Sequence, residues 1–202
     1  MSATSDEVNP LLLSGGDIHR AALEEVLKGL ETSPEGMKTD VVRKKRTTCG
    51  DNTVPPPLSA PAWLCCLLPC LLRTKSMEQY KECVPQSAQV KRNGRPWVNM
   101  EATGILPGDI VKVSKDERVA ADLRVIEAKG SCSFDTAAVT GRHEPQLCNP
   151  ALPSKDYLQS PNMAFCGYLC ISGECTGVVV ATGADTVMGK LVSKAAWPPK
   201  GY

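Results

Sequence analysis

Between Ser87 and Thr182 the apolar residues come only in short runs, each ended by a residue pair that turns the chain. Ala88–Arg92 and Trp97–Met100 flank Asn93-Gly94, a pair suited to the tight type I′ connection of a β-hairpin. Pro107-Gly108-Asp109 precedes Ile110–Val113, Val119–Glu127 follows, and Ser172-Gly173 separates Met163–Ile171 from Glu174–Thr182 as a second hairpin signal. Such a pattern cannot build a helical bundle. It predicts a mainly β domain, a compact sandwich or barrel, with helices confined to its flanks.

The flanks divide the chain further. Residues 1–16 read as a flexible tail and 17–54 as a helical region, with Asp17 as N-cap of a helix over Ile18–Leu30. Ile18, Ala22, Val26 and the Leu23, Leu27 and Leu30 series recur there at helical spacing. A shorter helix is expected over Thr39–Arg46, and Pro55-Pro56-Pro57 opens a linker over 55–76. Residues 77–196 form the β domain, entered by a helix over Arg73–Cys83 and closed by one over Asp185–Ala196. Trp197-Pro198-Pro199 ends that helix and begins a tail over 197–202. The longest apolar run, Trp63–Leu72, is broken by Pro69 and falls short of the about 20 residues a helical span needs, so no transmembrane helix is expected.

Composition excludes several functions. A formal net charge of +1 offers no field for nucleic acid, and Arg43-Lys44-Lys45-Arg46 reads as a solvated helix end. Ten cysteines are present without a CxxC pair, and two histidines add little, so neither a structural zinc site nor any cofactor is expected. Without a signal peptide at Met1–Pro10, the cysteines read as reduced, mostly buried thiols in a cytoplasmic setting. Cys65, Cys66 and Cys70 in the leucine-rich run carry the alternative of lipidation and peripheral membrane attachment. Asp109, Asp122 and Asp135 have no metal-ligand spacing and read as turn and capping groups.

The order of several motifs adds a family. Leu106-Pro107-Gly108-Asp109-Ile110-Val111, then Ala121-Asp122-Leu123-Arg124, Asp135, Thr140-Gly141 and Glu144-Pro145, resembles the actuator domain of P-type cation pumps. Asn162-Met163-Ala164-Phe165, Thr182-Gly183 and Thr186-Val187-Met188-Gly189 continue the pattern. Gly50-x-Asn52, Val54-Pro55-Pro56-Pro57 and Pro61-x-Trp63 are similar to the stretch leading sodium/potassium and proton/potassium pump α-subunits into their first membrane helix. The resemblance implies an actuator-type distorted β-sandwich, jelly-roll-like, with the N-terminal helices packed on it. It also implies a full-length pump, or its cytoplasmic domains, as partner.

Departures from the family pattern bear on function. Where the family has two membrane helices, only Trp63–Lys75 stands between Pro61 and Met77, and no Asp-Lys-Thr-Gly phosphorylation motif or nucleotide domain is recognisable. Asp116, Glu117 and Ala120 replace the usual Gly-Asp and Pro around Arg118. In intact pumps the loop reads Thr-Gly-Glu-Ser, and the resemblance assigns its glutamate the general-base role in hydrolysing the aspartyl phosphate. Here the loop is Thr140-Gly141-Arg142-His143-Glu144-Pro145, with an arginine that cannot accept a proton at the glutamate's position. Three readings follow: a non-catalytic module that regulates a pump, an inert product of a truncated or degenerate gene, and a fragment of an active pump. The missing parts set aside transport by this chain alone, and the sequence does not separate a regulator from an inert remnant. The purified chain is expected to form no hydroxylamine-sensitive phosphoprotein from radiolabelled ATP; a labelled acyl phosphate on this chain would overturn that expectation.

Overall fold

In the computed structural model, residues 18–57 and 75–202 are described; the 1–16 tail, the Asp17 cap and the Trp63–Leu72 run with Cys65, Cys66 and Cys70 lie outside them. The helices are α1 (Leu23–Gly29), α2 (Thr39–Thr48), α3 (Lys75–Cys83), α4 (Ala137–Thr140) and α5 (Val187–Ser193). The strands are β1 (Ser87–Lys91), β2 (Val98–Glu101), β3 (Ile110–Ser114), β4 (Asp122–Asp135), β5 (Gln146–Leu147), β6 (Met163–Ala164) and β7 (Leu169–Ala181). All pair antiparallel in the order β2-β1-β3-β7-β4-β5, with β6 also on β4. Bulges bend the long central strands, and the result is the expected distorted β-sandwich.

The first hairpin forms as its sequence predicts. Asn93 and Gly94 both have positive φ, 55° and 66°, and the Arg95 N–H closes the turn on the Arg92 carbonyl at 3.1 Å. Ser172-Gly173 does not make a second hairpin. β7 runs straight through it, because Gly173 at φ 68° sits in a bulge facing Gly130 and Ser131, themselves at 64° and 51°. Two expected strands therefore become one long strand and the short β6. β4 likewise continues well past Glu127, since its bulges let it follow β7 to Asp135↔Leu169. Asp116 stands at φ 66°, a left-handed conformation that the glycine of the family pattern would adopt without strain.

Helix α1 is shorter than its apolar periodicity implies. Its cap is Ala22, with no side-chain bond, because residues 18–20 turn away to bury His19 against the β domain. The His19 Nε2 lies 2.9 Å from the Ser154 carbonyl, and the Asn162 side-chain amide donates to the His19 carbonyl at 2.8 Å. Ile18, Val26, Leu27 and Leu30 share one core with Val90, Ile105, Val111 and Val179. Burying each leucine-class side chain is worth about 1.5–3 kcal/mol, so the N-terminal region is docked as expected. The Lys45 ammonium reinforces the contact, donating to the carbonyls of Leu30 at 2.6 Å and Pro107 at 3.0 Å.

Buried polar side chains fix the segments between these elements. Asp109, wholly buried, accepts from Arg92 Nε at 2.6 Å and from the Leu106 N–H at 2.8 Å. Gly108 at φ 97° lets that turn pass beneath the Leu30 carbonyl and Met37. Asn52 donates to the carbonyls of Ala102 and Ala120 at 2.9 and 3.0 Å and accepts from the Gly183 N–H at 2.7 Å. Asp122 accepts from the amides of Cys166 at 2.9 Å and Val187 at 2.8 Å, joining the start of β4 to the segment after β6 and to the first turn of α5. Ala121 beside it is equally buried.

Burial pushes the Asp122 carboxyl up to about 7, against the pull of its two amide donors and of Lys190. Because the folded value exceeds the ordinary 3.8, the stabilisation is full below about pH 4 and is lost as pH rises through about 7. Urea midpoints measured for the chain and for Asp122→Asn at about pH 5 and about pH 8 check this. The chain should lose on the order of 2 kcal/mol more than the variant over that interval, and an equal pH response from both would contradict it.

Candidate functional site

The Thr140–Pro145 loop is shaped by the residues that precede it. At the end of β4, the Asp135 carboxylate accepts the Ala137 N–H at 2.8 Å and starts the single turn of α4. Ala137, Ala138 and Val139 are buried and anchor that turn to the core. Gly141 ends it in the left-handed region at φ 72°, where its N–H reaches the Ala137 carbonyl at 2.9 Å. Thr140 Oγ1 lies 2.8 Å from Thr136 Oγ1 and accepts the Arg142 N–H at 3.2 Å. Thr140 and Gly141 thus make the turn.

Beyond Gly141 the loop faces outward. Arg142, His143, Glu144 and Pro145 are all exposed. Among the described residues, neither the Arg142 guanidinium nor the Glu144 carboxylate has a hydrogen-bond partner. His143 is held sideways: its Nε2 is 3.1 Å from the Gly201 carbonyl and its Nδ1 is 3.8 Å from the Asp135 carboxylate. An open cleft of ≈ 450 Å³ separates the loop from the 156–159 segment, with Arg142, Glu144, Gln146, Asp156 and Gln159 on its walls. It offers a free cation to an anionic group. Of its two carboxylates, Glu144 has no hydrogen-bond partner among the described residues, and Asp156 caps the 157–159 turn by accepting the Leu158 N–H at 3.0 Å.

Residues 197–202, read in the sequence as a tail, pack against the inner side of this loop. Trp197 is buried, donates its indole N–H to the Ala138 carbonyl at 2.9 Å, and meets the rings of Tyr80 and Tyr202 at 6.0 and 6.2 Å. The Tyr202 hydroxyl lies 2.8 Å from Cys83 Sγ, and burial pushes both of these groups up, so the contact is between neutral partners. The Lys200 carbonyl sits where a Cβ on Gly141 would project, which makes glycine necessary there on steric as well as torsional grounds. Trp197 and Tyr202, two aromatic residues in so short a segment, were the available signal that it packs.

Of the residues singled out in sequence, Asp135, Thr140, Gly141 and His143 are brought together at the loop. Pro107, Gly108, Asp109, Ala121 and Asp122 serve the turns and the core instead. The three aspartates make no common site; each carboxylate accepts backbone N–H groups, as turn and capping groups do. The described cysteines are free and mostly buried, as expected; Cys132, Cys148 and Cys175, distant in sequence, converge on one point because β4, β5 and β7 are neighbours.

Residues 82–196 match the P-type ATPase actuator domain family, and residues 18–68 match the cation transporter/ATPase N-terminus family. Among solved structures, the chain is similar to the crystal structure of a zinc-transporting PIB-type ATPase in its E2.Pi state, with 18% identity over 64% of this chain and a TM-score of 0.46. That likeness takes in 19% of the transporter's chain. The actuator match covers more than half of the sequence, including the whole Thr140–Pro145 loop and the strands that carry it. On that match, the chain belongs to the P-type ATPase actuator domain family.

Proposed function

We propose that the chain is a non-catalytic actuator module of the sodium/potassium-pump class, able to engage the cytoplasmic domains of a full-length pump but unable to promote hydrolysis of its aspartyl phosphate. One observation carries the reading: an exposed Arg142 follows Thr140-Gly141, at the position where the family pattern has its general base. A guanidinium is a donor with no acceptor site, so it cannot take a proton from water. His143 is turned onto the Gly201 carbonyl, and Glu144 stands two residues further along the loop. Both lie outside the glutamate's position.

Support for the sodium/potassium class comes from Gly50-x-Asn52, Val54-Pro55-Pro56-Pro57 and Pro61-x-Trp63, within the N-terminal region that matches cation transporters. Asn52 has a structural task that gives this string physical meaning, since it ties residues 102, 120 and 183 together. The longest apolar run of the sequence, Trp63–Leu72, is shorter than one helical span needs, and no helix among the described residues is long and apolar enough to cross a membrane. The actuator match supports the cytoplasmic face of a membrane that holds a complete pump as the proposed place of action, with binding as the means.

The loop can be tested apart from the rest of the chain. Thr140–Pro145, grafted into a complete sodium/potassium-type pump in place of its own loop, should leave phosphorylation by ATP intact. Dephosphorylation should slow by about 10²–10⁴-fold, the usual contribution of a general base, so that phosphoenzyme accumulates. Arg142→Glu within the graft should restore turnover at least in part. Normal turnover by the unmodified graft would show that His143 or Glu144 serves as base and would refute the reading.

A further inference from the structure

Cys132 lies in β4 at its largest bulge, between Lys129 and Ser133. On one side, Ser133 pairs with Leu147 of β5, and the following Cys148 donates its N–H to the Cys132 carbonyl at 2.9 Å. On the other side β7 supplies Cys175, paired with Ala128 where β4 enters the bulge. Three adjacent strands thus aim three thiols at one point, and their sulfur atoms all lie within 4.8 Å of one another. All three thiols are free. Cys132 and Cys175 are buried, whereas Cys148 sits half-buried at the edge of the sheet.

Packing alone explains one buried cysteine, which behaves as a small hydrophobe. It gives no reason for three to face each other across three strands. Cys148 is the most accessible member of the cluster. A fourth thiol, Cys170, has its sulfur 4.0 Å from that of Cys132 and is turned towards the Ser172 carbonyl at 3.3 Å.

We propose that Cys132, Cys148 and Cys175 bind one soft closed-shell metal ion, copper(I) or zinc(II), on three thiolate sulfurs. Metal–sulfur bonds of about 2.3 Å place the sulfurs of such a site about 4 Å apart, so side-chain rotation closes the present spacing. Each coordinating thiol still protonated releases its proton to water, which Cys148 reaches at the sheet edge. Copper(I) is satisfied by the three thiolates; zinc(II) completes four-coordination with Cys170 or with water. The site is independent of the Thr140–Pro145 loop and of the function proposed for it.

The test titrates the reduced full chain, without oxygen, with copper(I) and with zinc(II), each against a coloured competing chelator. One equivalent of one of the ions should be held, with thiolate-to-metal charge-transfer absorption for copper(I), and Cys148→Ser should weaken binding by at least about tenfold. Cys49→Ser, outside the cluster, should bind as the parent chain does. In the unsubstituted chain, the bound ion should also protect Cys148 from alkylation as judged by peptide mapping, a readout that needs no variant to fold. Undiminished binding by Cys148→Ser, no retention of either ion, or alkylation of Cys148 unaffected by metal would each overturn the proposal.

Discussion

A buried carboxyl that accepts two backbone amides holds the actuator fold at its least regular point. Asp122 opens β4, and its two oxygens take the N–H groups of Cys166, after β6, and of Val187, in the first turn of α5. Neither amide is paired within a strand or helix. Without the carboxyl the buried Cys166 amide and the half-buried Val187 amide would both lose their partner, at about 1–3 kcal/mol for a fully buried group. Asn52 and Asp109 act in the same way on neighbouring segments, the first tying residues 102, 120 and 183 together and the second closing its turn onto Arg92. The sheet alone would leave these segments loose, because its strands are short outside β4 and β7.

These clasps lie in the core, and the loop lies outside it. Thr140 and Gly141 belong to the framework, since one accepts the bond that turns the chain and the other fits beneath the Lys200 carbonyl. From Arg142 onward the side chains meet water. The division explains how a loop can keep its shape while its chemistry changes: the residues that make the turn are not those that would touch a phosphate. Side chains beyond Gly141 can therefore change with no loss of fold. The cysteine cluster is a third, separate feature, created by strand adjacency rather than by the loop.

Much of the fold was legible in the sequence, for physical reasons that differ from element to element. Asn93-Gly94 predicted its hairpin because both residues tolerate positive φ and little else competes. Ser172-Gly173 misled, since a glycine at positive φ serves a bulge as readily as a turn, and only its facing partner on β4 decides between them. Helix α1 lost its first turns to the docking of His19, a tertiary contact that periodicity cannot register. Motif order singled out Thr140–Pro145, whose turn the structure shows, but packing by Trp197 and Tyr202 depends on Tyr80, Cys83 and Ala138, which are remote in sequence. The convergence of Cys132, Cys148 and Cys175 was hidden for the same reason, as their spacing is set by strand order.

The claim that fold and loop chemistry are separable is tested most directly by urea denaturation of two variants side by side. Asp122→Ala should be destabilised by several kcal/mol, through two orphaned amides at about 1–3 kcal/mol for a fully buried one. Arg142→Glu should remain within about 0.5 kcal/mol of the parent chain, as expected of an exposed residue with no partner. Comparable destabilisation by Arg142→Glu would mean that the arginine supports the fold, and the separation between the two would not hold.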